Sequence, residues 1–201
     1  MMISNEEKLY QRLLDIYPSS MATITNLSYN DDGKANFIDS DVEGFNFDTV
    51  INCHPECTNK EKSPDSLFYI DSKLYFVEFK EGGSRKEDIR LKIHEAVSTL
   101  YAFSSKYIPE FNRADFFNLD IRYAVVFRAR HDNANPSFAE TLEMNSKKYH
   151  LKNLDGYVVT KTRVASHPSS ILKILKKITA NSVTSITIHN HRGVPLLNVA
   201  A

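Results

Sequence analysis

The chain has 201 residues, with 25 Lys+Arg balanced by 25 Asp+Glu, 42% hydrophobic residues and two cysteines. That composition excludes a disordered chain, a low-complexity polymer and a strongly basic, sequence-indifferent nucleic-acid coat. Two cysteines cannot build a disulfide framework, and no apolar run approaches the roughly 20 residues that span a bilayer, so a soluble protein of a reducing, cytoplasmic compartment is expected.

The length predicts a single domain over residues 1–201. Glu6 and Glu7 stand where a secretion signal would need a basic stretch and then an apolar run. The neutral total hides a split: residues 1–100 hold 11 cationic and 18 acidic side chains, a balance of −7, and residues 101–201 hold 14 and 7, a balance of +7. Such a split suits an acidic, metal-collecting site set against a basic, phosphate-collecting surface, and equally two solvated faces.

Helical spacing of Leu9, Leu13, Ile16 and Tyr17 predicts a helix over about 5–17, opened by a Ser4/Glu7 capping box and stopped by Pro18. Residues 19–43 are polar and turn-rich, with Asn30-Asp31-Asp32-Gly33 as the clearest turn. Alternation of Phe45, Phe47, Thr49 and Ile51 predicts a strand over 44–52, followed by a polar loop from His54 to Pro64. Two β-rich runs then flank Asp71-Ser72-Lys73, which is a hairpin signal. Ser84 and Glu87 form a second S-x-x-E box, opening a long helix to about Tyr107 that Pro109 stops. Residues 120–129 contain the apolar run Ala124–Phe127 of a strand buried on both faces. A strand over 157–164, a helix over 169–180 and a strand over 183–189 complete the chain.

Residues two apart share a face of a strand, so Glu78 and Lys80 point the same way as Leu74 and Phe76. With a two-residue hairpin loop, Asp65 falls opposite Glu78 or Lys80 and on their face; a three-residue loop flips it unless a bulge restores it. Two carboxylates and an ammonium at one point are a tool for phosphodiester hydrolysis. Carboxylate oxygens are the hard ligands Mg²⁺ prefers, the ion lowers the pKa of a bound water and screens the charge that develops on phosphorus, and a neighbouring lysine can position that water or stabilise the transition state.

Pro64-Asp65, twelve further residues and then Glu78-Phe79-Lys80, on a hairpin followed directly by a helix, resembles the PD-(D/E)xK nuclease superfamily. The resemblance implies an α/β, restriction-endonuclease-like fold with a mixed central sheet flanked by helices. Its αβββαβ core would occupy about 5–129 and a C-terminal α/β elaboration about 130–201. It implies a hydrolase cutting DNA with Mg²⁺ or Mn²⁺. Asp65, Glu78 and the Phe79 backbone carbonyl would be metal ligands, and Lys80 the catalytic lysine. Members often add a carboxylate on the first helix, for which Glu6 fits, and a basic side chain on the helix after E-x-K, for which Lys92 fits. Many members are dimers, which makes a homodimer an expectation.

Blander readings stand beside these. Asp65 would cap a turn, Glu78 and Lys80 would form a strand-end ion pair, and Glu6 and Lys92 would be solvated helix flanks. A nuclease-like fold without catalysis, serving as a nucleic-acid- or protein-binding module, is the alternative function. Asp48 reads as a further site carboxylate or as a strand-end residue. Cys53, His54 and Cys57 fall short of the four ligands of a structural zinc site. His189-Asn190-His191 ends a strand and carries no weight as a nuclease motif. Lys161, Arg163, Lys173, Lys176 and Lys177 are candidates for a phosphate-binding surface, or simply a wet helix face and strand.

Overall fold

The computed structural model describes residues 3–31, 33–51, 56, 59–81, 85–128 and 148–200. Helix α1 (Asn5–Ile16) opens with Ser4 accepting the Glu7 N–H at 3.1 Å and buries Leu9 and Leu13. The Glu7 carboxylate takes the Tyr69 hydroxyl at 3.3 Å. A meandering segment follows: strand β1 (Met21–Thr23), the short helix α2 (Ile24–Leu27), and strands β2 (Tyr29–Asn30), β3 (Ala35–Asn36), β4 (Ile38–Asp39) and β5 (Glu43–Asn46). The turn at Asn30 joins β2 to its antiparallel partner β3.

The strand expected over 44–52 is shorter than its alternation suggested. After Asn46 the chain turns into a 3₁₀ helix, Phe47–Thr49, because the Asn46 side chain accepts the Asp48 N–H at 3.1 Å. This local competition between side chain and sheet is characteristic of asparagine. Phe47 still reaches the core, edge-on to Phe76 with ring centroids 4.8 Å apart.

Strands β6 (Ser66–Ile70) and β7 (Lys73–Glu81) form the hairpin, in register from Ser66↔Val77 to Ile70↔Lys73. The loop is therefore Asp71-Ser72, with φ of 49° and 54°. Both residues are left-handed, as a two-residue turn of type I′ demands to match the strand twist. Helix α3 (Lys86–Tyr107) then crosses over the sheet. Its N-cap is Arg85, without a side-chain cap bond. Ser84, expected as the cap, lies outside the described residues, as do Cys53, His54 and Cys57. A short helix, α4 (Arg113–Phe117), carries a reciprocal capping box between Asn112 and Asp115.

Strand β8 (Ile121–Arg128) pairs parallel to β7 from Leu74↔Ile121 to Glu81↔Arg128. Strand β9 (Lys161–Ala165) pairs parallel to β8. It begins later than the expected 157, because Gly156 turns at φ 71° and Asp155 holds the Thr162 N–H at 2.7 Å. Helix α5 (Pro168–Ile178) follows, then β10 (Ser185–His189) and β11 (Pro195–Ala200), the last without a signal in the sequence reading. Strand β10 lies between β11 and β4, tying the C-terminal segment back to the early meander.

The result is a mixed six-stranded sheet, ordered β1-β5-β6-β7-β8-β9, flanked by helices. Its central part runs α1, β5, β6, β7, α3, β8 along the chain. Strand β7 is buried on both faces. Leu74 and Phe76 join Leu9, Leu13, Ile89, Ile93 and Leu100 under α1 and α3. Tyr75, Val77 and Phe79 join Phe37, Ile171 and Leu175 under α5. Among the described residues no helix is long and apolar enough to cross a membrane.

Candidate active site

The two-residue loop fixes where the hairpin's charged residues fall. Ser66 pairs with Val77, so Asp65 stands opposite Glu78. Asp65 Oδ2 accepts the main-chain N–H of Phe79 at 2.5 Å, beyond the last β6–β7 pair. A strand residue's N–H and C=O leave on the same edge, so the Phe79 carbonyl lies on the edge that Asp65 occupies.

Glu78 is fully buried. Its Oε1 receives two ammonium groups, Lys80 at 2.5 Å from its own strand and Lys92 at 2.7 Å from α3. Taking a carboxylate out of water costs several kcal/mol, which only close opposite charge offsets; two lysines supply it here. Glu78 Oε2 has no hydrogen-bond partner among the described residues. Beside it on β8 sits Tyr123, 1% exposed, whose hydroxyl is likewise buried and unpartnered. The Tyr123 phenol is pushed well above its ordinary value by burial, then by the charges of Glu78 and Asp65, so it remains a neutral donor aimed at that carboxylate.

The same environment acts on the other groups. Burial first, and the Glu78 charge second, push the Asp65 carboxyl up to about 8, against the pull of Lys92, the Phe79 N–H and Lys80. For Lys80, burial works to lower the value, but the adjoining Glu78 carboxylate outweighs it and holds the ammonium above its usual range. Lys80 therefore stays charged near neutrality.

Lys80 and Lys92 face an open cleft of ≈ 580 Å³, lined also by Asp48, Lys60, Ser63 and Arg85. Asp48, left between two readings in the sequence, belongs to this rim. Its carboxylate holds Lys60 at 3.2 Å and accepts the Ser63 hydroxyl. Lys62 closes another side by pairing with Asp88 at 3.1 Å.

No protein-family model, curated protein or solved structure matches the chain.

The cluster thus unites Asp65, Glu78, Lys80 and Lys92, and the Phe79 carbonyl borders it. Glu6 is not brought to it. Glu6 Oε1 accepts the Asp120 N–H at 2.9 Å, and Asp120 precedes Ile121, the partner of Leu74. That point lies four residues down β7 from Glu78, about 13 Å along the strand. Helical periodicity identified the right face of α1 for Glu6 but the wrong end. Lys173, Lys176 and Lys177 stand on α5, which packs on the other face of the sheet. Tyr123 was missed because a tyrosine in an apolar strand reads as core; only its position beside Glu78 gives its hydroxyl a role.

Among the described residues no group of three or more His, Cys, Asp and Glu is arranged to hold a metal ion. Two carboxylates still fit Mg²⁺, which is bound through one or two carboxylates, with waters and substrate phosphate oxygens completing the shell. The donor atoms suit it: Glu78 Oε2 is buried and has no hydrogen-bond partner among the described residues, Asp65 stands opposite, and the two lysines on Glu78 Oε1 line the open cleft.

Proposed function

We propose that this cluster is the catalytic centre of a metal-dependent nuclease of the PD-(D/E)xK type, built on a restriction-endonuclease-like arrangement and acting on DNA. The observation that carries the reading is the convergence of Asp65, Glu78 and Lys80 at one end of β7, with Glu78 Oε2 buried and unpartnered. Asp65, Glu78 and the Phe79 carbonyl would hold Mg²⁺ or Mn²⁺, which when bound supplies Lewis-acid charge and an acidified water. Lys80, kept cationic by Glu78, lends its charge to the oxygens on which negative charge develops. Lys92 orients Glu78 from α3, and the neutral Tyr123 phenol lies beside the same carboxylate on β8. Hydrolysis consumes one water and breaks one P–O ester bond, leaving a phosphate monoester and an alcohol.

One observation favours a second reading. Glu78 Oε1 is already shared by two lysines, a self-neutralised cluster suited to pinning α3 onto β7. On that reading the chain is a nuclease-like binding module without catalysis.

The two separate in one experiment. Mg²⁺ and Mn²⁺ are titrated by calorimetry into the wild type and into Glu78→Gln, with cleavage of single-stranded, duplex and branched DNA followed alongside. Binding and cleavage present in the wild type and absent in a folded Glu78→Gln protein support the nuclease. A wild type that binds neither ion, with or without DNA, overturns it.

A further inference from the structure

A second charged feature lies along the free edge of the sheet. Strand β9 is the last strand of the six, and with α5 it walls a groove of ≈ 750 Å³. Among the described residues six cations line it, Arg122, Lys152, Lys161, Arg163, Lys173 and Lys177, and no carboxylate does. Two of the six are already answered. Arg122 is clamped by Asp120 at 2.8 and 2.7 Å, and Lys152 pairs with Asp155 at 3.0 Å. Asp155 is further occupied by the Thr162 N–H and hydroxyl. That leaves Lys161, Arg163, Lys173 and Lys177 exposed and without an ion pair among the described residues, with Asp71 lining an adjoining cleft beside Lys173 and Lys177.

Their spacing is regular. Lys161 and Arg163 are two apart on a strand and share a face, which separates them by about 7 Å. Lys173 and Lys177 are one helical turn apart, a rise of about 6 Å. Each wall therefore presents cations at one repeat, and successive phosphates along a nucleic-acid strand follow a similar one. A solvated helix face would not require a matching row on the opposing strand. The groove lies between one helix and one edge strand. At ≈ 750 Å³ it has the volume of a small-ligand pocket, which suits one strand and not two.

We infer that the groove between α5 and the β9 edge binds a single nucleic-acid strand by its phosphodiester backbone, at a site separate from the Asp65–Glu78 cluster. It grips phosphates without stacking bases, since the aromatic side chains among the described residues that line it, Tyr75 and Tyr123, are 6% and 1% exposed. Binding needs no divalent ion, so it stands or falls independently of the nuclease reading.

The test measures fluorescence anisotropy of labelled oligo-dT and oligo-U in EDTA, over a salt series. The proteins are the wild type, a Lys161→Gln/Arg163→Gln/Lys173→Gln/Lys177→Gln variant and a Lys173→Gln/Lys177→Gln variant that alters α5 alone. Expected are salt-dependent binding by the wild type, at least a tenfold loss in the fourfold variant, and a salt slope shallower by about 3, from roughly 0.7 per phosphate contact. The double variant should lose about half of that slope. Circular dichroism should show unchanged melting, because all four side chains are exposed. The proposal is overturned by a wild type that does not bind in EDTA or by folded variants that bind as well as the wild type. It is equally overturned if polyglutamate competes at equal charge, or if a duplex of the same length binds more tightly.

Discussion

Lys92, on the second turn of α3, places its ammonium 2.7 Å from Glu78 Oε1, so the long crossover helix is joined to β7 by a buried charge pair. Both ends are shielded: Glu78 is fully buried and the Lys92 side chain is 19% exposed. The pair thus joins packing to chemistry, because whatever holds α3 on the sheet also holds the carboxylate still.

Lys92→Met leaves Oε1 with Lys80 as its one partner and should cost about 1–3 kcal/mol in urea denaturation. Glu78→Gln leaves two partly shielded ammonium groups facing each other at the edge of the cleft and should cost more, about 3–5 kcal/mol. The double variant should lose less than the sum, because the second change removes a charge that the first had stranded. Additive losses, or the reverse ranking, would show that the lysine is bystander packing.

Asp65 gives the metal-free protein a pH signature. Its folded value is raised to about 8, while an unfolded aspartate titrates near about 3.9. The folded state therefore holds a proton that the unfolded chain releases. Stability is fully present below about pH 4 and is lost as pH rises toward about 8. Asp65→Asn should flatten that fall in urea midpoints measured in EDTA. In the wild type at pH 7, Mg²⁺ binding should release a proton, visible as buffer-dependent heats. An unchanged midpoint profile in Asp65→Asn would contradict the buried-carboxyl account.

Gly44 on β5 lies under the ring of Phe68, where an added Cβ would stand 2.4 and 2.6 Å from ring carbons. Phe68 is 4% exposed and has little room to move. Gly44→Ala should therefore destabilise by about 1–3 kcal/mol through overpacking. A companion Phe68→Leu change should recover part of the loss in thermal melts, and no recovery would place the strain elsewhere.

Ser72 occupies the second turn position at φ 54°. A left-handed non-glycine residue costs about 1–2 kcal/mol, of which glycine's extra chain entropy returns about 0.5–1. Ser72→Gly should accordingly raise stability by about 0.5–1 kcal/mol, and Ser72→Val should lower it. Equal melting of all three proteins would mean that the turn relaxes freely.

The hairpin and its charges were legible in the sequence because they depend on local rules. Alternation set which face Glu78 and Lys80 share, and the two-residue loop set Asp65 opposite Glu78. The long helix was legible from its buried stripe, and that placed Lys92 at the edge of the stripe. What was not legible depends on distant partners. Glu6 sits on the correct side of α1, yet which end of β7 it meets is decided by how α1 docks, and it ends on the Asp120 N–H. Asp48 was left between two readings because alternation does not reveal that Asn46 diverts the strand into a 3₁₀ turn. Strand β11 was invisible because most of its residues are exposed and it lacks clean alternation; pairing with β10 creates it.

The pairing of β7 with β8 is parallel, and Leu74 meets Ile121 only after the whole of α3 has been traversed. Hairpins close quickly, whereas contacts across such a separation wait for the intervening chain to be ordered. The cluster therefore assembles in two steps during folding. Asp65, Glu78 and Lys80 meet when β6 and β7 zip together, while Lys92 and Tyr123 arrive with the crossover. Until then the chain exposes two carboxylates and a lysine on a two-stranded ribbon. Substitutions in the Asp71-Ser72 turn should change the rate of folding, and those at Lys92 chiefly the rate of unfolding.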